Sequence, residues 1–272
     1  MGVMNEKILY TYDSKRFRNV QKIAQVFLKN YIGNNIVQDD IFSVVENYVL
    51  SKDMPFELLR FPIDDEELCA CTFIRGGRIF VMLNSSVYLA KQIFAMAHEL
   101  FHIRCYLEDN NLELIQTGSI LKASTINAET SEEEELEANA FAGTLLVPLQ
   151  FLKQQIEIYN VNKDNITVNE ILVLMDIFAV PYKAMVFRLL EQNIISLDKV
   201  IELLSVPKDE INKKILFTGK AKRWSIAPTG CEKLGTLNEI LTENEHNEAL
   251  PASRLQSDRA RLQEIMKKYN IK

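Results

Sequence analysis

The feature that most constrains this chain is a short run, AMAHELFHIRC (residues 95–105), which contains two of the three histidines in 272 residues. His98 and His102 stand four positions apart within a long, mostly apolar stretch that predicts a helix. Residues at i and i+4 of a helix differ by about 40° around its axis and about 6 Å along it. Both imidazoles therefore lie on one face, where they could clamp a metal ion.

Glu99 follows His98 directly, about 100° around the predicted helix. Its carboxylate would lie beside a metal ion rather than on it, within reach of water that a hydrolytic reaction consumes. This is the HExxH pattern. Two histidines at this spacing could instead hydrogen-bond within a core. The scarcity of histidine makes a coincidental match rare, on the order of a few in a thousand chains of this composition.

A catalytic zinc ion usually has three protein ligands and one open position. His246 lies in the polar run TENEHNEAL, where little would hold its ring rigidly. The run ELEAN (residues 135–139) is a better source: Glu135 would ligate, and Asn139, one turn later, would orient an imidazole through its other nitrogen. Glu134 and Glu137 remain alternatives by register.

Period-two and period-3.6 patterns divide the rest of the chain. LCACTFIR and RIFVMLN are strand-like and flank the glycine pair of RGGR, which predicts a β-hairpin within residues 68–84. EEEELEANAFAGTLL predicts an amphipathic helix that ends before Pro148, with Ser131 and Glu134 as a capping box. Shorter helices are predicted at 149–159, 168–178, 181–192 and 197–204. The predicted fold is α+β and mainly helical, with a small antiparallel sheet beside the histidine helix.

Two segments leave structural alternatives open. RIFVMLN runs directly into the histidine helix, either as an edge strand that an extended substrate could join or as an interior strand. RLQSDRARLQEIMKKYNIK, near the C-terminus, predicts a helix that either packs on the domain or binds a partner. The main boundary is placed near residues 206–222, which gives a domain at 1–206 and a helical or irregular extension at 207–272.

Composition and charge favour a globular protein over several other classes. The net charge of −6 gives no general reason to bind nucleic acid, and no nucleic-acid partner is expected. No signal peptide is evident and charges interrupt every long apolar stretch, so we expect a soluble, cytoplasmic protein without membrane contact. Four cysteines without a CxxC pair predict reduced thiols. A solvated linker face is predicted for the basic cluster Lys213, Lys214, Lys220, Lys222 and Arg223.

The combination of motifs resembles a known family. HELFH, followed at a distance by EEELEANAFAGTLLVP, resembles the ImmA/IrrE zinc metallo-endopeptidases, gluzincin-like proteins of bacteria and their mobile elements. GGRIFVMLNSSVYLAKQIFAMAHELFH is similar to the family's strand, N-S turn and metal helix, and FAVPYKAMVFRLLEQNIIS to its later helical segment. The resemblance covers about residues 39–195.

The resemblance implies a zincin-like core that holds one Zn²⁺ per chain. By position, His98, His102 and Glu135 would bind the ion, Glu99 would be the catalytic base, and Asn139 would support a ligand. The chain departs from the family in that Phe101 replaces a small residue and Tyr106 replaces a frequent further histidine. A second donor to the oxyanion is expected, with four candidates: Tyr88, Arg104, Tyr106 and His246. The two tyrosines could equally be packing residues, and the arginine a surface charge.

Three functional hypotheses follow. The resemblance implies a protease with a narrow target, typically a DNA-binding repressor that is cleaved to relieve repression under stress; an antitoxin-like partner fits equally. A second hypothesis is a non-catalytic, zinc-containing regulatory protein that docks a partner through residues 224–272. A structural zinc site, however, has four closed ligands and needs no adjacent base, which argues against it. Hydrolysis of a small amide is the third.

Overall fold

The computed structural model describes residues 15–33, 35–65, 67–109, 119–122, 133–218, 235–247 and 250–269. Its strands are β1 (Phe56–Phe61), β2 (Leu68–Arg75), β3 (Arg78–Asn84) and β4 (Ser119–Lys122). Its α-helices are, in chain order, α1 (Lys15–Phe27), α2 (Ile41–Leu50), α3 (Leu89–Asp109), α4 (Glu133–Leu146), α5 (Leu149–Ile158), α6 (Val168–Phe178), α7 (Tyr182–Glu191), α8 (Leu197–Ser205), α9 (Lys208–Phe217), α10 (Leu237–His246) and α11 (Ala252–Tyr269). The fold is α+β and mainly helical, as the sequence predicts.

The predicted β-hairpin is confirmed. β2 and β3 pair antiparallel and are joined by Gly76 and Gly77, whose φ angles are 58° and 72°. Two-residue hairpin turns of type I′ need positive φ at both central residues, and glycine adopts it without a steric penalty. The local sequence RGGR is therefore sufficient to fix this pairing.

The sheet as a whole is mixed, so the prediction of an antiparallel sheet is wrong for one strand. The strand order is β1-β3-β2-β4, and β1 runs parallel to β3 from the pair Phe56 and Ile79 to the pair Phe61 and Asn84. The first four residues of β1 are all buried, the pattern of a strand covered on both faces and typical of parallel pairing. The partner of β1 is therefore set by packing with segments that are distant in the sequence.

The same strand order settles the alternatives for RIFVMLN. As β3 it lies between β1 and β2, so the edge-strand alternative is wrong and both of its edges are paired. The outer strands of the described sheet are β1 and β4.

Asn84 fixes the junction between the sheet and the histidine helix. Its side chain is fully buried; its Oδ1 accepts from the backbone N–H of Ile63 and Ser86, and its Nδ2 donates to the carbonyls of Asp65 and Leu68. Four hydrogen bonds therefore tie the end of β3, the β1–β2 connection and the chain before α3 together. α3 begins at Leu89, five residues after Asn84.

α3 is the central helix of the fold. It packs against β2, β3 and β4 on the sheet side and against α2 and α4 on the other sides, while α1 covers α4. One hydrophobic core, extending from Phe17 on α1 to Ile215 on α9, joins these elements. Both faces of the histidine helix are thus held by packed neighbours.

The C-terminal half confirms the four shorter helices to within a residue or two. Where a linker is predicted, α9 is a helix whose Ile215 is buried in the core and whose Lys213 is exposed. α11 packs against α10, and Leu255 and Leu262 are its buried residues. The division at residue 206 stays a prediction. Ser131 of the capping box, Cys231 and three members of the basic cluster lie outside the described residues: Lys220, Lys222 and Arg223.

Two further expectations bear on the described part of the chain. The three cysteines described there, Cys69, Cys71 and Cys105, are free thiols. None of the described helices combines the length and apolarity that crossing a membrane requires.

Candidate metal centre

The two histidines of α3 face each other across one helical turn. Their Nε2 atoms lie 3.2 Å apart, and the side chains of His98 and His102 are 0% and 1% exposed. The rigid helix sets the spacing, and the packing of α3 against α4 turns this face inward. Two imidazole nitrogens at this distance repel each other unless a cation lies between them or a proton bridges them.

α4 adds a carboxylate to the pair. Oε2 of Glu135 lies 3.2 Å from Nε2 of His98, and Oε1 lies 3.5 Å from Nε2 of His102. One ligand atom from each of the three residues can be chosen so that all three atoms lie within 4.8 Å of one another. Ligands bound at 2.0–2.1 Å to a tetrahedral zinc ion lie about 3.3 Å from one another. The three side chains therefore have the chemistry and the mutual spacing that Zn²⁺ requires.

A second residue on each side orients the imidazoles. Nδ1 of His98 donates to Oδ1 of Asn139 at 3.0 Å, as the sequence predicts for the residue one turn after Glu135. Nδ1 of His102 lies 3.3 Å from Oε1 of Glu134. A proton held on Nδ1 of His98 leaves its Nε2 lone pair directed at the metal position, which is the usual task of such partners. The contact between Glu134 and His102 is an ion-pair distance without hydrogen-bond geometry.

Sequence reasoning missed this place of Glu134, which it treated as a capping or alternative ligand residue. The signal was available: Glu134 and Glu135 are adjacent, so about 100° of helix separates them and only one can face both Nε2 atoms. The other can reach the far nitrogen of one ring. Deciding which one needed the relative orientation of α3 and α4.

The charges around the site suit a dication. Burial alone would lower the pKa of His102, but the contact with Glu134 and the negative charges of Glu99 and Glu135 outweigh it and raise that pKa. Burial alone would raise the pKa of Glu135, yet its hydrogen bond with His98 and the two nearby imidazoles lower it. The carboxylates thus create a strongly negative environment that favours any cation between the histidines.

Glu99 lies on the sheet side of the histidines. It is fully buried, and its charge, after burial, is the second cause that raises the pKa of the Cys71 thiol on β2. Cys71 is paired in register with Ile120 of β4. Glu99 therefore lies on the side of α3 that packs against β2.

The remaining register alternative, Glu137, has another partner. Its Oε1 accepts a hydrogen bond of 2.7 Å from Nε of Arg16 on α1, and the same guanidinium contacts Glu133. Arg16 thereby ties the first two turns of α4 to α1. The arrangement keeps Glu137 away from the histidines and holds the helix that carries Glu135.

The four candidate oxyanion donors lie in different places. Arg104 is two residues after His102, about 200° around α3, and pairs with Glu108 at 2.8 Å. Tyr88 precedes His98 by ten residues, roughly 15 Å along the axis.

The other two candidate oxyanion donors, His246 and Tyr106, also lie at different positions relative to the metal ligands. His246 is exposed at the end of α10 and is not part of the ligand group. Tyr106 is half-buried and lies one turn beyond His102 on the same face. Among the four, only Tyr106 shares a helix face with the ligands.

Comparison with known protein families agrees with this geometry. A family model described as the IrrE N-terminal-like domain, Peptidase_M78, matches residues 52–190, which is about half of the chain. The matched residues span the sheet, α3 and α4, and so contain every member of the ligand group. A search of curated proteins found no significant match.

Proposed function

This chain belongs to the Peptidase_M78 family of IrrE N-terminal-like domains, and we propose from that membership that it is a zinc-dependent endopeptidase acting on a specific regulatory protein. The observation that carries the proposal is the convergence of His98, His102 and Glu135 on one point, with the buried Glu99 beside them. Family membership supports peptidase chemistry, and the ligand set supports zinc as the metal.

The donor set favours zinc over Mg²⁺ and Ca²⁺. Two imidazoles and one carboxylate at tetrahedral spacing are the ligands of catalytic zinc sites, whereas Mg²⁺ and Ca²⁺ prefer six or more oxygen ligands. Three protein ligands leave one coordination position for water and substrate. The adjacent Glu99 has no role in a closed structural site, so its position favours hydrolysis.

The chain's own residues divide the work of hydrolysis. Bound zinc supplies Lewis acidity, which polarises a carbonyl and lowers the pKa of water. The carboxylate of Glu99 would accept a proton from the attacking water and return it to the leaving amine. Asn139 and Glu134 hold the imidazoles in place during this cycle. Tyr106 is the best-placed candidate to donate to the oxyanion.

The outer strand β4 is the element we assign to substrate binding. β3 has both edges paired, whereas β4 pairs only with β2 in the described sheet. A peptide added along the outer edge of β4 in the described sheet would lie one strand beyond the Cys71 and Ile120 pair, on a sheet that packs against the histidine helix. Backbone hydrogen bonds would then hold the scissile bond, and single side-chain changes in the substrate would matter little.

The regulatory target we propose is a DNA-binding repressor or an antitoxin-like protein, cleaved under stress. The support is the motif resemblance to the ImmA/IrrE peptidases together with family membership. A narrow target is also consistent with a site whose two histidines and base are almost fully buried.

Metal content separates this proposal from its rivals. Mass spectrometry on purified wild type, Glu135→Ala, Glu137→Ala and Glu99→Gln should give about one zinc for all but Glu135→Ala. Glu137→Ala is the matched control on the same helix, because Glu137 pairs with Arg16.

Cleavage provides the second readout. Wild type should cut one of the repressor-like proteins encoded nearby, while Glu99→Gln should bind zinc and leave it intact. A wild type that holds no zinc after refolding with zinc would return His98 and His102 to the status of core histidines. Zinc binding with equal activity in Glu99→Gln would remove Glu99 as the base.

A further inference from the structure

A second candidate site lies at the start of the histidine helix. A cavity of about 370 Å³ opens where the start of α3 meets α6, α7, α8 and α9. Its walls are largely apolar, with Met175, Leu204 and Ile211 among them. The volume falls in the range of pockets that bind small molecules, at its lower end.

The charges that line this cavity have one sign. Lys91, Lys183 and Lys208 contribute to the lining, and none of the described lining residues is acidic. The nearest carboxylates in sequence, Asp209 and Glu210 in the first turn of α9, are not among the described lining residues. A cavity of this kind concentrates anions.

Each lysine lies near the N-terminus of its helix, where a positive charge is unfavourable. Lys91, Lys183 and Lys208 lie in the first turns of α3, α7 and α9, where the helix dipole already places positive charge. Pro181 and Pro207 precede α7 and α9, and neither helix has a side-chain cap. The three lysines thus lie at helix starts that meet at one cavity. Such a cluster is stabilised when an anion binds among them.

Two tyrosines add a specific polar contact and an aromatic wall. Tyr88 lines the cavity, and burial raises the pKa of its hydroxyl, so the hydroxyl keeps its proton and can donate. The hydroxyl of Tyr182 donates to the carbonyl of Leu203 at 3.2 Å, which fixes that ring against the cavity.

We propose that this cavity binds a phosphate-bearing small molecule with a flat apolar body, of about the size of a nucleoside monophosphate. Lysine ammonium groups bind phosphate as point charges, and helix N-termini offer backbone N–H groups to its oxygens. The aromatic and aliphatic walls accept the apolar body. The site shares no residue with the metal centre, so it stands apart from the proposed peptidase activity.

Calorimetric titration of the full-length protein tests the proposal with four probes: AMP, adenosine, inorganic phosphate and octanoate. We expect AMP to bind best, phosphate to bind more weakly, and adenosine and octanoate not to bind. AMP binding should weaken as salt is raised, because charge attraction contributes to it.

Three variants locate the binding site. Tyr88→Phe removes only a hydroxyl and should weaken AMP binding about tenfold. Lys208→Gln should weaken it about threefold, since Lys208 is exposed and its charge is screened. Lys213→Gln on the same helix is the matched control and should change nothing, because Lys213 does not line the cavity.

Three results would overturn the proposal. The first is that neither AMP nor phosphate binds at millimolar concentration. The second is that octanoate binds and AMP does not, which would make the site a carboxylate pocket. The third is that AMP binds Tyr88→Phe and Lys208→Gln as tightly as wild type, which would place the ligand elsewhere.

Discussion

The middle and the start of α3 present opposite chemistry to different partners. In its middle, His98 and His102 face the carboxylates of Glu134 and Glu135 on α4. At its first turn, Lys91 shares a cavity with lysines from α7 and α9. One helix thus supports an electronegative centre suited to a metal cation and an electropositive cavity suited to an anion. The helix places each side chain, and the neighbouring helices decide the sign.

The largest expected effect is a loss of cleavage rate at the metal centre without a loss of zinc. Glu99→Gln should slow cleavage of the substrate about 10²- to 10⁴-fold while zinc content stays unchanged, because it removes a proton acceptor and leaves the ligands in place. Single-turnover rates and metal content measured on one sample check this. The control Lys208→Gln, at the cavity, should leave the rate unchanged; a comparable loss there would mean that the two sites are not separate.

Breaking the junction before α3 should affect both sites together. Asn84→Ala removes four hydrogen bonds from a buried position, so the free energy of unfolding should fall by about 3 kcal/mol. Urea unfolding followed by circular dichroism measures this fall. Asn169→Ala, at an exposed helix position, should change it by less than about 0.5 kcal/mol. A change of that small size in Asn84→Ala would show that packing alone holds the junction.

The carboxylate beside His102 should tune metal affinity without being required for it. Glu134→Ala should weaken zinc binding about 10- to 100-fold, the usual cost of losing a residue that orients a ligand. Competition with a chromophoric chelator gives the affinity. The loss in Glu135→Ala should be clearly larger. Should the two variants rank the other way, Glu134 is the ligand and Glu135 the orienting residue.

The smallest effect concerns the cavity without ligand. Lys208→Gln should raise the free energy of unfolding by about 0.3 kcal/mol in phosphate-free buffer, because a cation leaves the positive end of α9. The same substitution should lower the affinity for AMP. Lys213→Gln should show neither change, and replicate urea titrations are needed to resolve the difference. A stability loss in Lys208→Gln would contradict the unfavourable placement of this lysine.

The metal centre could be predicted from the sequence and the cavity could not, for a physical reason. The His98 and His102 pair is a local pattern: four residues of helix fix both imidazoles on one face whatever surrounds them. Glu135 and Asn139 follow the same rule on a second helix. The hairpin at Gly76 and Gly77 is equally local, since two positive φ angles define it. Apart from the choice of Glu135 over Glu134 and Glu137, these features needed only short-range geometry.

The cavity offered no such signal. Tyr88, Lys91, Tyr182, Lys183 and Lys208 come from three helix starts that are far apart in the chain. Each one taken separately is an ordinary residue of an amphipathic helix. Tyr88 was considered for the metal centre, and the structure places it about three turns of helix away. The hydrophobic periodicity of the sequence does not indicate which helix ends lie close together in the fold.

The sequence by itself determined the metal-binding pattern, the hairpin, the mainly helical fold class and most helix bounds, because hydrophobic period and turn chemistry act over a few residues. The tertiary structure alone decided that β1 lies parallel to β3, that RIFVMLN is an interior strand, that Glu134 faces His102, and that three lysine-bearing helix starts share one cavity. These outcomes depend on packing between segments remote in the chain, and burial energy is not directional enough for a local pattern to encode it.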